Sequence, residues 1–567
     1  MTDDLCRERI LSQEYRDFIV TKTRPPYFLD IPTEQLCEQK MDFDYSCAYL
    51  EGSQAEPMTI AKFSYPAIPK CYTLLDMEAM NQAGIISVQN YPTLQLQGKN
   101  VMIGFVDTGI DYQNPIFQNL DGTTRIAAIW DQTIQAGEPP EELLYGTIYE
   151  EDMINAALQS DDPKKIVPSE DQQGHGTFVA SLAAGSADPE AQFIGAAPEC
   201  TIAVVKLKEA KTYLRSFYYI KEEAPCYQEN DIMFGLKFLN RLAQERKMPL
   251  VICVALGSNM GGHDGTLPLP AVLSLYALQG DRGVVIAGGN EANKRHHFAG
   301  KIENPMDEIT VEIRSDGNNE GFSMELWSDI PNLFTVTLIS PTGESTSNIP
   351  IRAGASTVFS FLLEKTNVYI DYRVLVERTN SELIFFRFDK PTTGIWKVIV
   401  KAQEIADGIF HIWLPVTEFL TGEAYFLQSD PNETLTNPSN ALAPTTVAFY
   451  DGAVQSVAIQ SGRGFTRKQE IKPDFAAPGV NVLGATNDGR FVRRTGSSIA
   501  AGITAGAMAL LMEWIIYQRG GEGIDSVQLK SLMILGAKRN TRMSYPNREW
   551  GYGTLDLYHT FEVSRRL

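Results

Sequence analysis

The sequence is short of histidine. Six occur in 567 residues, so a histidine in an unusual setting stands out. Cysteine is also sparse: Cys6, Cys37, Cys47, Cys71, Cys200, Cys226 and Cys253. Their number is odd and none shows Cys-x-x-Cys spacing, which argues against a zinc site and a disulfide framework. All seven are expected to be plain buried or surface thiols, with Cys253 in a strand-like apolar run. No long run of Lys and Arg occurs, and the formal net charge is −21. Phosphate binding needs a basic footprint, so no nucleic-acid partner is expected. No stretch reaches about 18 apolar residues without charge, so no membrane span is expected. The first residues, MTDDLCRERILSQEYRDF, have no basic start followed by an apolar run. No secretion signal is therefore expected, and the chain is assigned to the cytoplasm where it is made. The acidic loop pattern of helix–loop–helix calcium sites is missing as well. No metal ligand and no cofactor is assigned.

Hydrophobic residues make up 44% and charged residues 21%, the balance of a folded chain rather than a disordered one. At this length several units are expected. Residues 1–75 mix short amphipathic pieces and carry four of the seven cysteines. From 76 to 302 short apolar runs (NVMIGFVDTGI, TIAVVKLK, PLVICVALGS, GVVIAGGN) alternate with helical patterns (HGTFVASLAAG, QENDIMFGLKFLNRLAQERK). Strands alternating with helices predict an α/β unit with a doubly wound parallel sheet. From 303 to 432 the period becomes two (EITVEIRS, FSMELWSD, ELIFFRF, GIWKVIVKA), with turn formers between the runs. That pattern predicts an antiparallel β-sandwich. From 433 to 567 the α/β pattern returns with a long apolar helix, SSIAAGITAGAMALLMEWIIYQ. The β-rich block therefore reads as an insertion into one α/β unit.

Four motifs carry chemistry. An apolar strand ends in Asp107-Thr108-Gly109, at the sheet edge where such folds place functional groups. His175 lies between Gly174 and Gly176 and opens a helix rich in small residues. Ser498 lies at the start of the long apolar helix, where unpaired N–H groups favour a nearby oxyanion. A strand runs into Gly288, Gly289 and Asn290, and the Asn290 amide is a candidate oxyanion donor. Each alone is commonplace, because Asp ends strands and Ser caps helices in many proteins. Together they supply the base orienter, general base, nucleophile and oxyanion donor of serine acyl transfer. The chain order Asp, His, Ser is that of subtilisin, and no Gly-x-Ser-x-Gly elbow argues for an esterase.

These blocks resemble the signature segments of the subtilisin-like serine peptidases. The Ala477-Pro478-Gly479 block and Trp550-Gly551-Tyr552-Gly553 are similar to further segments of that family. The resemblance implies Asp107, His175 and Ser498 as a triad, aided by Asn290. It also implies substrate binding by Ala255, Leu256, Gly257, Ser258, Gly288 and Gly289. Three departures stand out. The usual Gly-Thr-Ser is Gly496-Ser497-Ser498, and Ser498 is chosen because Ala500 and Gly506 then fall in register. The Pro-His after that block is Gly502-Ile503. The substrate strand reads Ala255-Leu256-Gly257-Ser258 in place of Ser-Leu-Gly-Gly. More narrowly, the order of segments resembles the Csp germination proteases of spore-forming clostridia. That likeness implies an α+β prodomain over 1–75, an inserted jelly-roll sandwich and spore association. It implies autoprocessing, expected near 65–97, with the prodomain as a partner that can stay bound after the cut. It further implies limited proteolysis of a protein substrate, the precursor of a cortex-lytic hydrolase. Some relatives in that group have lost triad residues and act as regulators, so an inactive scaffold is the alternative.

Overall fold

The computed structural model describes residues 3–21, 37–60, 62–74, 81–91, 94–351, 356–521 and 523–565. The strand Met102–Asp107 is buried along its whole length, as a strand with both faces covered must be. It lies inside a nine-stranded sheet. From one edge the order is Ser456–Val457, Thr445–Asp451, Arg282–Ala287, Leu250–Val254, Met102–Asp107, Thr201–Lys206, Ile126–Asp131 and Thr147–Glu150. Phe475–Pro478 also pairs with Thr445–Asp451. The interior pairings are parallel. The edge strands Ser456–Val457 and Thr147–Glu150 run antiparallel, so the sheet is mixed.

Alternate residues of Met102–Asp107 feed two cores. Ile103 and Phe105 meet the helices His175–Ala184 and Ser497–Glu513. Met102 and Val106 meet Glu229–Glu245 and Pro268–Ala277. Every residue of Ser497–Glu513 is buried. Its Gly506 lets two elements touch: a Cβ there would lie 2.4 Å from Ala196 Cβ and 2.6 Å from the Ala183 carbonyl oxygen. The stretch Ser497–Gln518 is long and apolar enough to cross a membrane by composition, but 89% of its apolar window is buried inside the fold. It is a core helix.

The β-rich block forms two antiparallel sheets. One orders His297–Lys301, Ile409–Trp413, Gly321–Asp329, Ser381–Asp389, Thr366–Arg373 and Ser356–Phe361. The other orders Leu333–Ile339, Gly394–Glu404, Glu308–Ser315 and Ala424–Phe426. Phe322, Leu326 and Phe386 of the first share one core with Val336, Trp396 and Val398 of the second. The first sheet begins at His297, ahead of the boundary at 303 drawn from the sequence pattern. Its first strand, HFAGK, is set by pairing with Ile409–Trp413 rather than by alternation.

In the N-terminal segment a three-stranded antiparallel sheet orders Tyr15–Thr21, Tyr45–Glu51 and Cys37–Lys40. Cys6, on the helix Asp3–Leu11, is disulfide-bonded to Cys37. The expectation of seven plain thiols is therefore corrected. An odd count excludes a complete framework, not one pair that tertiary structure brings together. The other five cysteines are free and buried. The expected division after residue 75 falls at the edge of 75–80, which lie outside the described residues.

Candidate active site

Asp107 is the last residue of a central strand, and His175 is the first residue of the helix that packs on it. Gly174, at φ +73°, supplies the left-handed turn into this helix. A Cβ on Gly176 would sit 2.2 Å from the Gly109 carbonyl oxygen, so only glycine lets the helix approach the Asp107 turn this closely. The approach leaves His175 Nδ1 2.7 Å from Asp107 Oδ1. A carboxylate oxygen only accepts, so Nδ1 carries the proton and Nε2 presents its lone pair. Nε2 lies 3.2 Å from Ser498 Oγ. The three residues are buried at 2%, 5% and 0% exposure, which strengthens each contact electrostatically.

The two adjacent serines are held differently. Ser497 Oγ accepts from the Gly289 N–H at 3.1 Å, and the Ser497 N–H donates to Asn290 Oδ1 at 3.0 Å. Ser497 thus ties the Gly288-Gly289-Asn290 turn to the start of the helix, and only Ser498 faces the imidazole. With Asn290 Oδ1 engaged, its Nδ2 group remains to donate. Gly288 is anchored by its N–H to the Val447 carbonyl at 2.9 Å.

Asp171 was not singled out in the sequence. It is 3% exposed and accepts from Thr108 Oγ1 at 2.7 Å, from the Gly174 N–H at 2.8 Å and from the Thr177 N–H at 2.8 Å. Thr108 Oγ1 in turn accepts from the Gly176 N–H at 2.9 Å. One carboxylate therefore fixes both the turn after Asp107 and the first turn of the His175 helix. Its only sequence signal is an Asp four residues before His175, ahead of the helix cap at Gly174. Asp111, beside this network, is pushed up to about 6, chiefly by burial. Burial also raises the Cys253 thiol, which leaves it unreactive.

The substrate-side residues separate into two groups. Leu256–Gly257 forms a two-residue strand, and the chain's own Cys71–Leu74 lies antiparallel to it, Leu74 opposite Leu256 and Thr73 opposite Gly257. Cys71–Leu74 pairs on its other side with Tyr227–Gln228. It is a central strand between two short ones, the posture of a peptide captured by strand addition. Ser258 turns away and exchanges main-chain hydrogen bonds with Asn437 at 2.9 and 2.8 Å. Ala255, 1% exposed, sits in the core beneath.

A strand-end carboxylate, a helix-opening imidazole and a helix-opening hydroxyl, linked in that order on a mostly parallel sheet, define a serine peptidase of the subtilisin type. The model of the Subtilase family matches residues 98–347 and 421–553, more than half of the chain. The chain belongs to this family. The solved structure of the CspB protease of Clostridium perfringens is 30% identical, with a TM-score of 0.76, covering 86% of this chain and 99% of that one. Subtilisin-like protease SBT3.6 of Arabidopsis thaliana is 23% identical over 486 residues, 78% of this chain and 59% of its own length. SBT3.10 of the same plant is 24% identical over 522 residues, 83% of this chain. The match thus spans 63% or less of these plant relatives.

Proposed function

We propose that this chain is a serine endopeptidase in which Ser498 attacks a peptide carbonyl. His175 takes the hydroxyl proton through Nε2 and later delivers it to the leaving amine. Asp107 holds Nδ1–H and stabilises the imidazolium. Asn290 Nδ2 and the Ser498 N–H receive the oxyanion. The substrate is a protein, bound extended between Leu256–Gly257 and Tyr227–Gln228. The observation that carries this reading is the continuous contact from Asp107 through His175 to Ser498.

The segment 1–75 acts as a prodomain. Its strand Cys71–Leu74 occupies the cleft in the place of substrate, and the chain cuts itself on the C-terminal side of Leu74. The cut segment stays bound through the buried pairs Asp17–Lys211 and Lys70–Glu229. Likeness to the CspB protease supports a place in spore germination: a spore-associated enzyme, made in the cytoplasm, that activates the precursor of a cortex-lytic hydrolase by limited proteolysis. The intact set of catalytic side chains favours this over an inactive regulatory scaffold.

Incubation with a candidate hydrolase precursor, followed by mass mapping of the products, tests the substrate. Mass measurement of the purified chain tests the self-cut. Ser498→Ala is expected to leave the chain whole, whereas Ser497→Ala, which removes one hydrogen bond, is expected to retain turnover. The reverse outcome rejects the assignment of the nucleophile.

A further inference from the structure

Four of the six histidines gather where the sandwich meets the α/β core. His263 stacks on Trp413 with ring centroids 4.1 Å apart and 7° between planes. His297 and His411 stack near the same indole at 4.8 and 5.3 Å. His296 Nδ1 holds Glu291 Oε2 at 2.7 Å. None of this belongs to the Asp107–His175–Ser498 chain.

Within the group, His297, His411 and Glu433 are all buried, and one ligand atom of each lies within 4.8 Å of the others. His297 and His411 sit on adjacent antiparallel strands, and Glu433 lies in the segment that returns to the core. Their orientation is fixed from behind. His297 Nδ1 faces the Asp430 carbonyl at 3.1 Å, so it is the protonated nitrogen and Nε2 presents a lone pair. An imidazole N–H donated to a carbonyl is the usual support of a metal-ligating histidine. Nε2 lies 3.0 Å from His411 Nδ1. The edge of a tetrahedron with zinc–nitrogen bonds of about 2.0–2.1 Å is about 3.3 Å, so the two imidazoles need only open slightly, while the Glu433 oxygen, within 4.8 Å of them, closes in to complete the set. His411 then carries its proton on Nε2. Glu433 Oε1 is held by Gln469 Nε2 at 3.3 Å and by Arg548. Two imidazoles and one carboxylate with a fourth position for water form a donor set that suits zinc better than magnesium or calcium.

We propose that His297, His411 and Glu433 form a structural site for a divalent metal of the zinc type, which clamps the sandwich to the α/β core. The clamp also bears on the catalytic side. Just beyond Glu433, the Leu435 carbonyl meets His263 Nδ1 at 2.8 Å, and the Thr436 N–H donates to the Gly288 carbonyl at 3.2 Å. The ion thus braces the segment that supports the Gly288-Gly289-Asn290 turn. The ligands are scattered along the chain and share no local spacing, so no motif announces the site.

The test uses the full-length protein, stripped with a chelator and titrated with Co2+ and then Zn2+. One Co2+ per chain is expected, with the intense visible bands of tetrahedral coordination, displaced by Zn2+. Zn2+ alone is expected to raise the thermal midpoint of the wild type. His411→Gln and Glu433→Gln are each expected to lose the bands and the midpoint shift. If His411→Gln does not fold, Glu433→Gln decides. Absence of a tetrahedral spectrum in the wild type, or binding unchanged in a folded variant, overturns the proposal and leaves an imidazole–imidazole hydrogen bond within a ring stack.

Discussion

The α/β core makes two large seams, one with the N-terminal segment and one with the sandwich, and they are built from different chemistry. The N-terminal seam sets buried charges within an apolar contact that joins Phe18, Val20 and Leu50 to Leu214 and Phe217. Asp17, fully buried, accepts from Lys211 Nζ at 2.5 Å, Gln228 Nε2 at 2.7 Å and Asn230 Nδ2 at 3.2 Å. Lys70, also fully buried, faces Glu229 at 3.9 Å and donates to the Tyr65 carbonyl at 2.9 Å. The sandwich seam relies instead on flat rings around Trp413. Its charges centre on Arg467, which reaches Asp264 at 2.9 Å and Asp329 at 2.5 Å. The difference concerns what each seam tolerates. A buried pair holds only while both partners are present, since one charge left alone is costly. The proposed cut after Leu74 would remove neither partner, so such a seam would outlast it. Stacked rings lose strength gradually.

Three changes separate the seams, from the largest expected effect to the smallest. Asp17→Ala leaves Lys211 buried without its carboxylate. A loss of about 3–5 kcal/mol is expected in denaturant unfolding, with release of the N-terminal segment on gel filtration once the proposed self-cut is made. Trp413→Phe keeps a ring but drops the indole N–H bond to the Glu433 carbonyl at 3.1 Å. About 1–2 kcal/mol is expected, with the N-terminal segment still bound. A Trp413→Phe loss equal to that of Asp17→Ala would erase the distinction.

The third change concerns pH within the sandwich. Burial pushes Glu382 up from 4.5 to about 8, against opposing hydrogen bonds from Ser328 and the Phe334 N–H. The folded carboxyl therefore keeps a proton that the unfolded chain releases. Its contribution is full below pH 4.5 and is lost as pH rises toward 8. Glu382→Gln is expected to flatten that decline in sandwich stability between these limits, with little change in the N-terminal seam. An unchanged slope in thermal melts would remove Glu382 as its source.

Much of this architecture was legible in advance, for physical reasons. Met102–Asp107, Thr201–Lys206 and Leu250–Val254 are continuous apolar runs, which is what strands covered on both faces require. Ile126–Asp131, with its two alanines, and the strand His297–Lys301 were not picked out, because pairing rather than pattern sets them. The side chains that meet at His175 were readable because close packing forces glycine at 174 and 176, an unusual frame for a histidine. Asp171 was missed because it is one acid among 70 and its role depends on N–H groups that only the folded turn aligns. The strand Cys71–Leu74 was missed because four residues are too few to show a period; two short backbone ladders hold it. The Cys6–Cys37 bond depends on tertiary contact in the same way.

The central claim is that one hydroxyl of the two adjacent serines is activated by His175. Labelling of the folded protein with a fluorophosphonate, followed by peptide mapping, tests it directly. The account predicts a single adduct on Ser498 that disappears in His175→Ala. An adduct on Ser497, or labelling that persists in His175→Ala, would contradict it.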